Sequence, residues 1–162
     1  YNNRAAVWLT IAISENNDSI KKTYLQKARM ATDRAINLFK GWIDKFGNEP
    51  EDMIYKMVYG YYNHDSSIYK DLDIHKIIDK RVEDMLIAQL ETPRRLSVAY
   101  TNLGTICRHS EDYESAMLNN KKALELWPDN LTAKNNINIL LGRPLEERST
   151  LDKLFPEDKD SE

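Results

Sequence analysis

Residues 97–130 decide the fold, and they read S-V-A-Y-T-N-L-G-T-I-C-R-H-S-E-D-Y-E-S-A-M-L-N-N-K-K-A-L-E-L-W-P-D-N. Four residues of this stretch recur at i, i+3, i+4 and i+7, namely Tyr100, Leu103, Gly104 and Cys107. Such a spacing places them on one face of an α-helix. Gly104 and Ala116 are small enough for two helices to approach closely, and Pro128 cannot continue the second helix. The stretch therefore predicts two antiparallel helices joined by a turn.

This pattern resembles the tetratricopeptide repeat (TPR), a helix–turn–helix unit of about 34 residues with the signature W-x2-L-G-x2-Y followed by A, F and P. The chain departs from that signature at Cys107, where an aromatic residue is usual, and at Asn120, where Phe is usual. The resemblance implies an all-α fold, a right-handed α-solenoid of about three TPR-like antiparallel helix pairs with a C-terminal capping helix.

Helical periodicity extends the resemblance along residues 1–142, which we interpret as a single TPR-like helical domain. Its parts are a degenerate repeat (4–47), a repeat with an insertion between its helices (51–91), a linker (92–95), the regular repeat (97–130) and the capping helix (131–141). An acidic tail, residues 143–162, follows. Two alternatives stay open for this tail: it is disordered, or it docks in a groove through Leu151, Leu154 and Phe155.

Composition narrows the class of protein. With 41% hydrophobic and 30% charged residues, the 162-residue chain is typical of a soluble globular domain. The net charge of −3 comes from the tail, so the neutral body argues against nucleic acid as a partner. No apolar run approaches the roughly 18 residues of a membrane span, so direct membrane insertion is not expected. The single Cys leaves the compartment open, with the cytoplasm favoured, and the start at Tyr1 suggests a piece of a longer protein.

Motifs for catalysis, metal binding and cofactor binding are absent from the sequence. It contains no H-E-x-x-H, no C-x-x-C, no P-loop and no Rossmann glycine pattern. We therefore expect no catalytic residue, no metal and no cofactor, and we do not expect an enzyme. Cys107 lies on the helical stripe of the regular repeat, which favours a small core residue over a reactive thiol.

Binding is the function that the resemblance implies. In TPR proteins a second stripe of each first helix, about 110–120° from the core stripe, lines a concave groove that holds a partner's peptide. Carried over by position, the predicted groove residues are Leu9, Ile13, Tyr55, Tyr59, Tyr62, Thr101, Thr105, Arg108 and Asn135, with Ile139 next to Asn135 on the capping helix.

Three tyrosines of this set, Tyr55, Tyr59 and Tyr62, form a stripe beside a core stripe that is already filled. Aromatic side chains with a polar tip suit a partly wet recognition surface, where they act as anchors. The alternative is that the insertion after Asn63 folds over them and makes them a satellite core. Both interpretations stay open at this point.

The sequence thus predicts a non-catalytic protein–protein interaction scaffold that binds a peptide or partner segment in the concave TPR groove. The two-carboxylate clamp with which some TPR domains bind the acidic C-termini of chaperones is missing, since Val98 fills a Lys site of that clamp. Two alternatives come from other classes: a structural, self-associating module that forms a homodimer, and a regulatory TPR domain of a larger enzyme.

Overall fold

The computed structural model of the chain describes residues 1–62 and 72–147. Within these ranges all regular secondary structure is α-helical, which confirms the all-α fold class. The helices of the described part are α1 (Asn2–Ser14), α2 (Asp18–Phe46), α3 (Glu51–Tyr61), α4 (Ile74–His109), α5 (Tyr113–Leu126) and α6 (Leu131–Leu140).

Side-chain caps fix where four of these helices begin. The capping side chains, each of which accepts a hydrogen bond from a main-chain N–H of the first turn, are Asn17, Asp73, Asp112 and Asn130. They satisfy donors that the start of a helix otherwise leaves unpaired. Pro50 precedes α3, where its missing N–H costs no helical hydrogen bond. These boundaries follow from local chemistry that is readable in the sequence.

One predicted boundary is wrong, because α4 runs without a break through residues 92–95, where a linker was expected. The helix includes Pro93, which lacks an N–H and costs about 3 kcal/mol in a helix interior. Burial on both sides of the proline offsets this cost. Val82 packs in a cluster with α3, and Leu96 packs in a second cluster with α2.

The N-terminal pair, α1 and α2, packs directly against the C-terminal part of α4. Ile106 of α4 joins a buried cluster whose other members come from α1 and α2, namely Leu9, Ala12, Leu25 and Ala28. At the start of α1, Asn102 Nδ2 donates to Asn2 Oδ1 at 3.1 Å. Repeats stacked in chain order contact only their neighbours, whereas α1 and α2 here pack directly against the C-terminal part of α4.

The middle of the chain forms a cluster of its own, which we call the α3–α4 cluster. Its buried members are Ile54, Val58, Ile78, Val82 and Met85, and Phe46 from the end of α2 packs against it. Gln89 of α4 ties the turn between α2 and α3 to this cluster. Its Nε2 donates to the main-chain carbonyls of Phe46 at 2.6 Å and Glu49 at 2.8 Å.

Helices α4 and α5 approach closely at Gly104, as the small residues of the regular repeat predict. A Cβ on Gly104 would lie 2.9 Å from Cγ of Asn120 and 3.1 Å from the carbonyl oxygen of Ala116. Cys107 is buried, which confirms its prediction as a core residue, and Ala116 is buried as well. Asn120, at the position where TPR sequences usually carry Phe, is also buried and lies over Gly104.

Candidate functional site

The two predicted groove residues of α1 differ in their exposure. Leu9 is buried in the cluster that includes Ile106, so its predicted place in an open groove is wrong. The reason is that α2 and α4 cover this face of α1. Ile13, one turn further along, is 48% exposed and remains a surface residue.

The three tyrosines of the predicted stripe differ in their surroundings. Tyr55 and Tyr62 are half-buried and pack against the α3–α4 cluster, whereas Tyr59 is 43% exposed. The rings of Tyr55 and Tyr59 stack with their centroids 6.2 Å apart. The satellite-core interpretation therefore fits Tyr55 and Tyr62, and the surface interpretation fits Tyr59. Most of the insertion, residues 63–71, lies outside the described residues.

The tyrosines are far from the other predicted groove residues. They pack near Val82, in the first half of α4, whereas Arg108 lies at the C-terminal end of the same helix. At a rise of about 1.5 Å per residue, these positions on α4 are roughly 40 Å apart. The tyrosines thus lie in a surface region on α3, and Arg108 lies in a separate region where α4 meets α6.

Thr101 and Thr105 belong to a polar seam between α4, α5 and α6. We use this name for Ser97, Thr101, Thr105, Asn120, Asn130 and Asn136. Asn130 Nδ2 donates to Ser97 Oγ and to Thr101 Oγ1, both at 2.9 Å. Asn136 Nδ2 donates to Thr105 Oγ1 at 3.0 Å and to Asn120 Oδ1 at 3.1 Å. These hydrogen bonds hold α6 against the face of α4 that the sequence assigned to the groove.

The predicted groove position of Thr101 is therefore wrong: its side chain is buried and faces α6. Thr105 is half-buried and also bonded to α6. Each hydroxyl of the seam donates to a carbonyl as well as accepting from an asparagine; Ser97 Oγ, for example, donates to the Ala123 carbonyl at 2.7 Å. A buried polar group is tolerated when it is paired in this way, and such networks specify one arrangement of the helices.

Sequence reasoning missed the seam because it followed apolar positions. The available signal was a run of hydroxyls at i, i+4 and i+8, Ser97, Thr101 and Thr105, together with the asparagine-rich start of the capping helix. Hydroxyls at that spacing share one helix face, as apolar residues would.

Arg108 lines an open cleft of about 450 Å³ where α4, α5 and α6 meet. The cleft, called the Arg108 cleft below, is bounded by Arg108, His109, Tyr113, Met117, Ile139 and Leu140. Arg108 and Ile139 both belong to the groove stripes expected from the sequence, one on the last turn of α4 and one on α6. The structure brings these two together, with apolar side chains beside a cation.

The guanidinium of Arg108 contacts the imidazole of its neighbour His109. Arg108 Nη2 lies 3.3 Å from His109 Nε2. A guanidinium can only donate, so Nε2 accepts and a neutral His109 carries its proton on Nδ1. Burial, and then the positive charges of Arg108 and Lys21, lower the pKa of His109 and favour this neutral form. Arg108 Nε is buried and has no hydrogen-bond partner among the described residues, so part of the donor capacity of the guanidinium is unused.

Asn135, the last predicted groove residue, contacts the chain itself. Its Oδ1 accepts a hydrogen bond from the main-chain N–H of Glu146 at 2.7 Å, and its Nδ2 donates to the Glu146 carbonyl at 2.9 Å. The described part of the tail, residues 143–147, therefore docks on α6. Residues 148–162, including Leu151, Leu154 and Phe155, lie outside the described residues.

Other chemistry is limited in the part of the chain that the structure describes. Burial raises the pKa of the Cys107 thiol, which disfavours the thiolate. Residues 1–62 and 72–147 contain no group of three or more His, Cys, Asp or Glu side chains arranged to hold a metal ion. In the same ranges no helix has the length and hydropathy that a membrane span requires.

Comparisons with known proteins return no match: no family model, no curated protein and no solved structure is similar to this chain.

Proposed function

We propose that the chain is a non-catalytic protein–protein interaction module, and that it binds a peptide segment of a partner where α4 meets α6. The observation that carries the proposal is the Arg108 cleft. A cation with a buried donor that lacks a partner among the described residues stands beside the apolar side chains of Met117, Ile139 and Leu140. Recognition sites typically combine an anchoring apolar pocket with a few polar groups that fix orientation.

A TPR-like architecture is part of this proposal. In it, α1 with the first half of α2 and the end of α4 with α5 are two consecutive helix pairs, and α6 is the capping helix. The direct packing of α1 and α2 against Ile106, and the close approach of α5 at Gly104, support this order. The remaining part, from the end of α2 to the first half of α4, is then one long insertion between the two pairs.

The chemistry of the cleft defines the partner segment. Arg108 offers charge-assisted hydrogen bonds, which suit a carboxylate of the partner, and the apolar wall suits a large aliphatic or aromatic side chain next to it. Lys21, which contributes to the lowered pKa of His109, adds a second positive charge near the cleft. A segment with an acidic residue beside an apolar one is therefore the expected ligand.

Selection from a library of short random peptides tests the proposal. Selected peptides are synthesised, and their affinity for purified wild type and variants is measured by fluorescence polarisation. We expect Arg108→Gln to weaken binding by about ten- to a hundredfold, because it removes a hydrogen bond to a charged group. Arg95→Gln, at an exposed position elsewhere on α4, is the matched control and should leave the affinity unchanged.

A second pair of variants tests the apolar wall. Ile139→Ser should weaken the same peptides, whereas Leu118→Ser, at a comparably exposed position on α5, should not. If the library yields no peptide, or if the selected peptides bind Arg108→Gln and Ile139→Ser as well as wild type, the cleft is not the binding site and the proposal fails.

Self-association is a second candidate function, and one surface favours it. Ile87 and Leu90, one turn apart on α4, are 50% and 80% exposed. Exposed apolar side chains that neighbour one another often mark an interface. Sedimentation velocity over a range of concentrations would show a dimer, and Leu90→Ser should weaken it. A wild-type monomer at every concentration removes this candidate.

A further inference from the structure

The segment that follows α6 turns back along the helix. Gly142 has φ 64°, and the main-chain N–H groups of Gly142 and Arg143 donate to the carbonyls of Ile139 at 3.2 Å and Asn138 at 2.8 Å. These two bonds are those of a Schellman motif, in which a glycine in the left-handed region ends a helix. The turn directs residues 143–147 back past the last turns of α6, towards Asn135.

Asn135 binds this segment through its main chain. The side-chain amide makes one hydrogen bond to the N–H and one to the carbonyl of the same residue, Glu146. Two residues paired in an antiparallel sheet exchange the same two bonds, so the amide acts as a strand partner for an extended residue. Asn138 Nδ2 adds a long contact of 3.5 Å to Glu146 Oε1. Recognition of this kind requires an N–H and an extended backbone, but no particular side chain.

The docked segment adjoins the Arg108 cleft. Asn135 and Ile139 are one turn apart on α6, and Ile139 lines the cleft. An extended partner segment that leaves the cleft along α6 therefore reaches Asn135, where residues 143–147 already lie.

We propose that the Asn135 amide is a receptor for the main chain of an extended peptide, and that residues 143–147 occupy it as an intramolecular competitor. The competition with a partner rests on the function proposed above, because the partner must displace this segment to use the whole surface. Two hydrogen bonds of ordinary net strength favour the docked segment by about tenfold. The partner's apparent affinity is reduced by a similar factor.

Amide hydrogen exchange measured by NMR tests whether the segment docks. In wild type, we expect the Glu146 amide to exchange about tenfold more slowly than in Asn135→Ala, where its acceptor is gone. Asn138→Ala is the matched control, since it removes only the long side-chain contact and should leave the Glu146 amide protected. Exchange at the same rate in wild type and Asn135→Ala overturns the proposal.

Competition is tested with the full chain and a synthetic peptide of residues 142–150, G-R-P-L-E-E-R-S-T. Glu146→Pro removes the N–H that donates to Asn135 Oδ1, and residue 146 lies outside the helices of the described part, so the substitution weakens the docking of the segment while the fold is kept. A segment on a short linker has an effective concentration in the millimolar range, so the peptide is titrated at millimolar concentrations. Binding is followed by the NMR signals of the Asn135 side-chain amide.

We expect the peptide to bind Glu146→Pro about tenfold more tightly than wild type. Adding Asn135→Ala to that variant should abolish the binding. Equal affinity for wild type and Glu146→Pro, or no binding to Glu146→Pro, overturns the proposal. Neither the exchange experiment nor the peptide titration uses a partner. If both give the expected result while the library selection fails, the proposed function is disproved and the Asn135 receptor is not.

Discussion

Replacing Gly104 with alanine adds one methyl group at the closest approach of α4 and α5. The new Cβ would lie 2.9 Å from Cγ of Asn120 and 3.1 Å from the Ala116 carbonyl, so a neighbour must move. Asn120 has little room to do so. It is buried, its Nδ2 donates to the Ala116 carbonyl at 2.8 Å, and its Oδ1 accepts from Asn136.

The cost of Gly104→Ala follows from three terms. Overpacking of a well-filled contact costs about 1–3 kcal/mol. Displacing Asn120 from Asn136 costs about 1 kcal/mol for the lost hydrogen bond. Alanine regains about 1 kcal/mol, because it loses less backbone entropy than glycine in a helix. The free energy of unfolding should therefore fall by about 2 kcal/mol, or roughly 4–8 °C in Tm for a chain of this size.

Urea unfolding followed by circular dichroism measures the change, with Gly41→Ala as the matched control. Gly41 is also inside a helix, but a Cβ there meets nothing within 4 Å. The control should gain about 0.5–1 kcal/mol from helix propensity alone. The two alanine variants should thus change stability in opposite directions.

A double-mutant cycle with Asn120→Ala locates the clash. Asn120→Ala should destabilise the wild type, because it removes one of the two acceptors of Asn136 Nδ2. It should destabilise Gly104→Ala by less, because it also removes the clash. Stabilisation by Gly104→Ala comparable to that of Gly41→Ala would refute the close approach of α4 and α5. Strict additivity with Asn120→Ala would refute the assignment of Asn120 as the obstructing group.

Three further predictions concern other parts of the molecule. Tyr59→Ala should cost about 1 kcal/mol or less in urea unfolding, whereas Ile54→Ala, buried in the same helix, should cost about 2–5 kcal/mol; equal losses would make Tyr59 a core residue. Asn130→Ala should cost about 2–4 kcal/mol, because it removes the cap of α6 and two hydrogen bonds of the polar seam, against about 1 kcal/mol for the simple cap lost in Asn17→Ala. Burial above all holds the pKa of His109 below its ordinary value near 6.5, so the stability contributed by neutral His109 is full above about pH 6.5 and is lost as the pH falls below that value. Chemical denaturation from about pH 7 to pH 5 should therefore show a smaller loss of unfolding free energy in His109→Gln than in wild type. An equal loss in the two proteins would contradict this prediction.

Much of the local structure was predictable because it depends on neighbouring residues. Apolar spacing located the helices, and Asp112 and Asn130 begin α5 and α6 as capping side chains. The helix pair within residues 97–130 was predictable in most detail, since small residues at Gly104 and Ala116 imply a close approach, and α4 and α5 approach closely at Gly104. The break expected at residues 92–95 failed for a tertiary reason, because burial on both sides of Pro93 outweighs the local cost of the proline.

The candidate site was predictable only on helix faces that no further helix covers. Arg108 and Asn135, which were predicted from their positions, lie on partly exposed turns of α4 and α6. Leu9 and Thr101 were assigned to the same groove, but a second helix covers each of them. Periodicity shows which face of a helix is apolar, but it does not show which other face packs against a further helix. Leu9 and Thr101 were therefore both misplaced.

By itself, the sequence determined that the chain is all-α, where most helices begin, and which residues of 97–130 form a close helix pair. Those features follow from hydrophobic spacing, caps and residue size, which act over a few residues. Only the tertiary structure decided that α4 is continuous, that α1 and α2 pack against its C-terminal part, and that Asn135 binds residues 143–147. These depend on contacts between distant residues, whose energies exceed local preferences and leave no periodic signal in the chain.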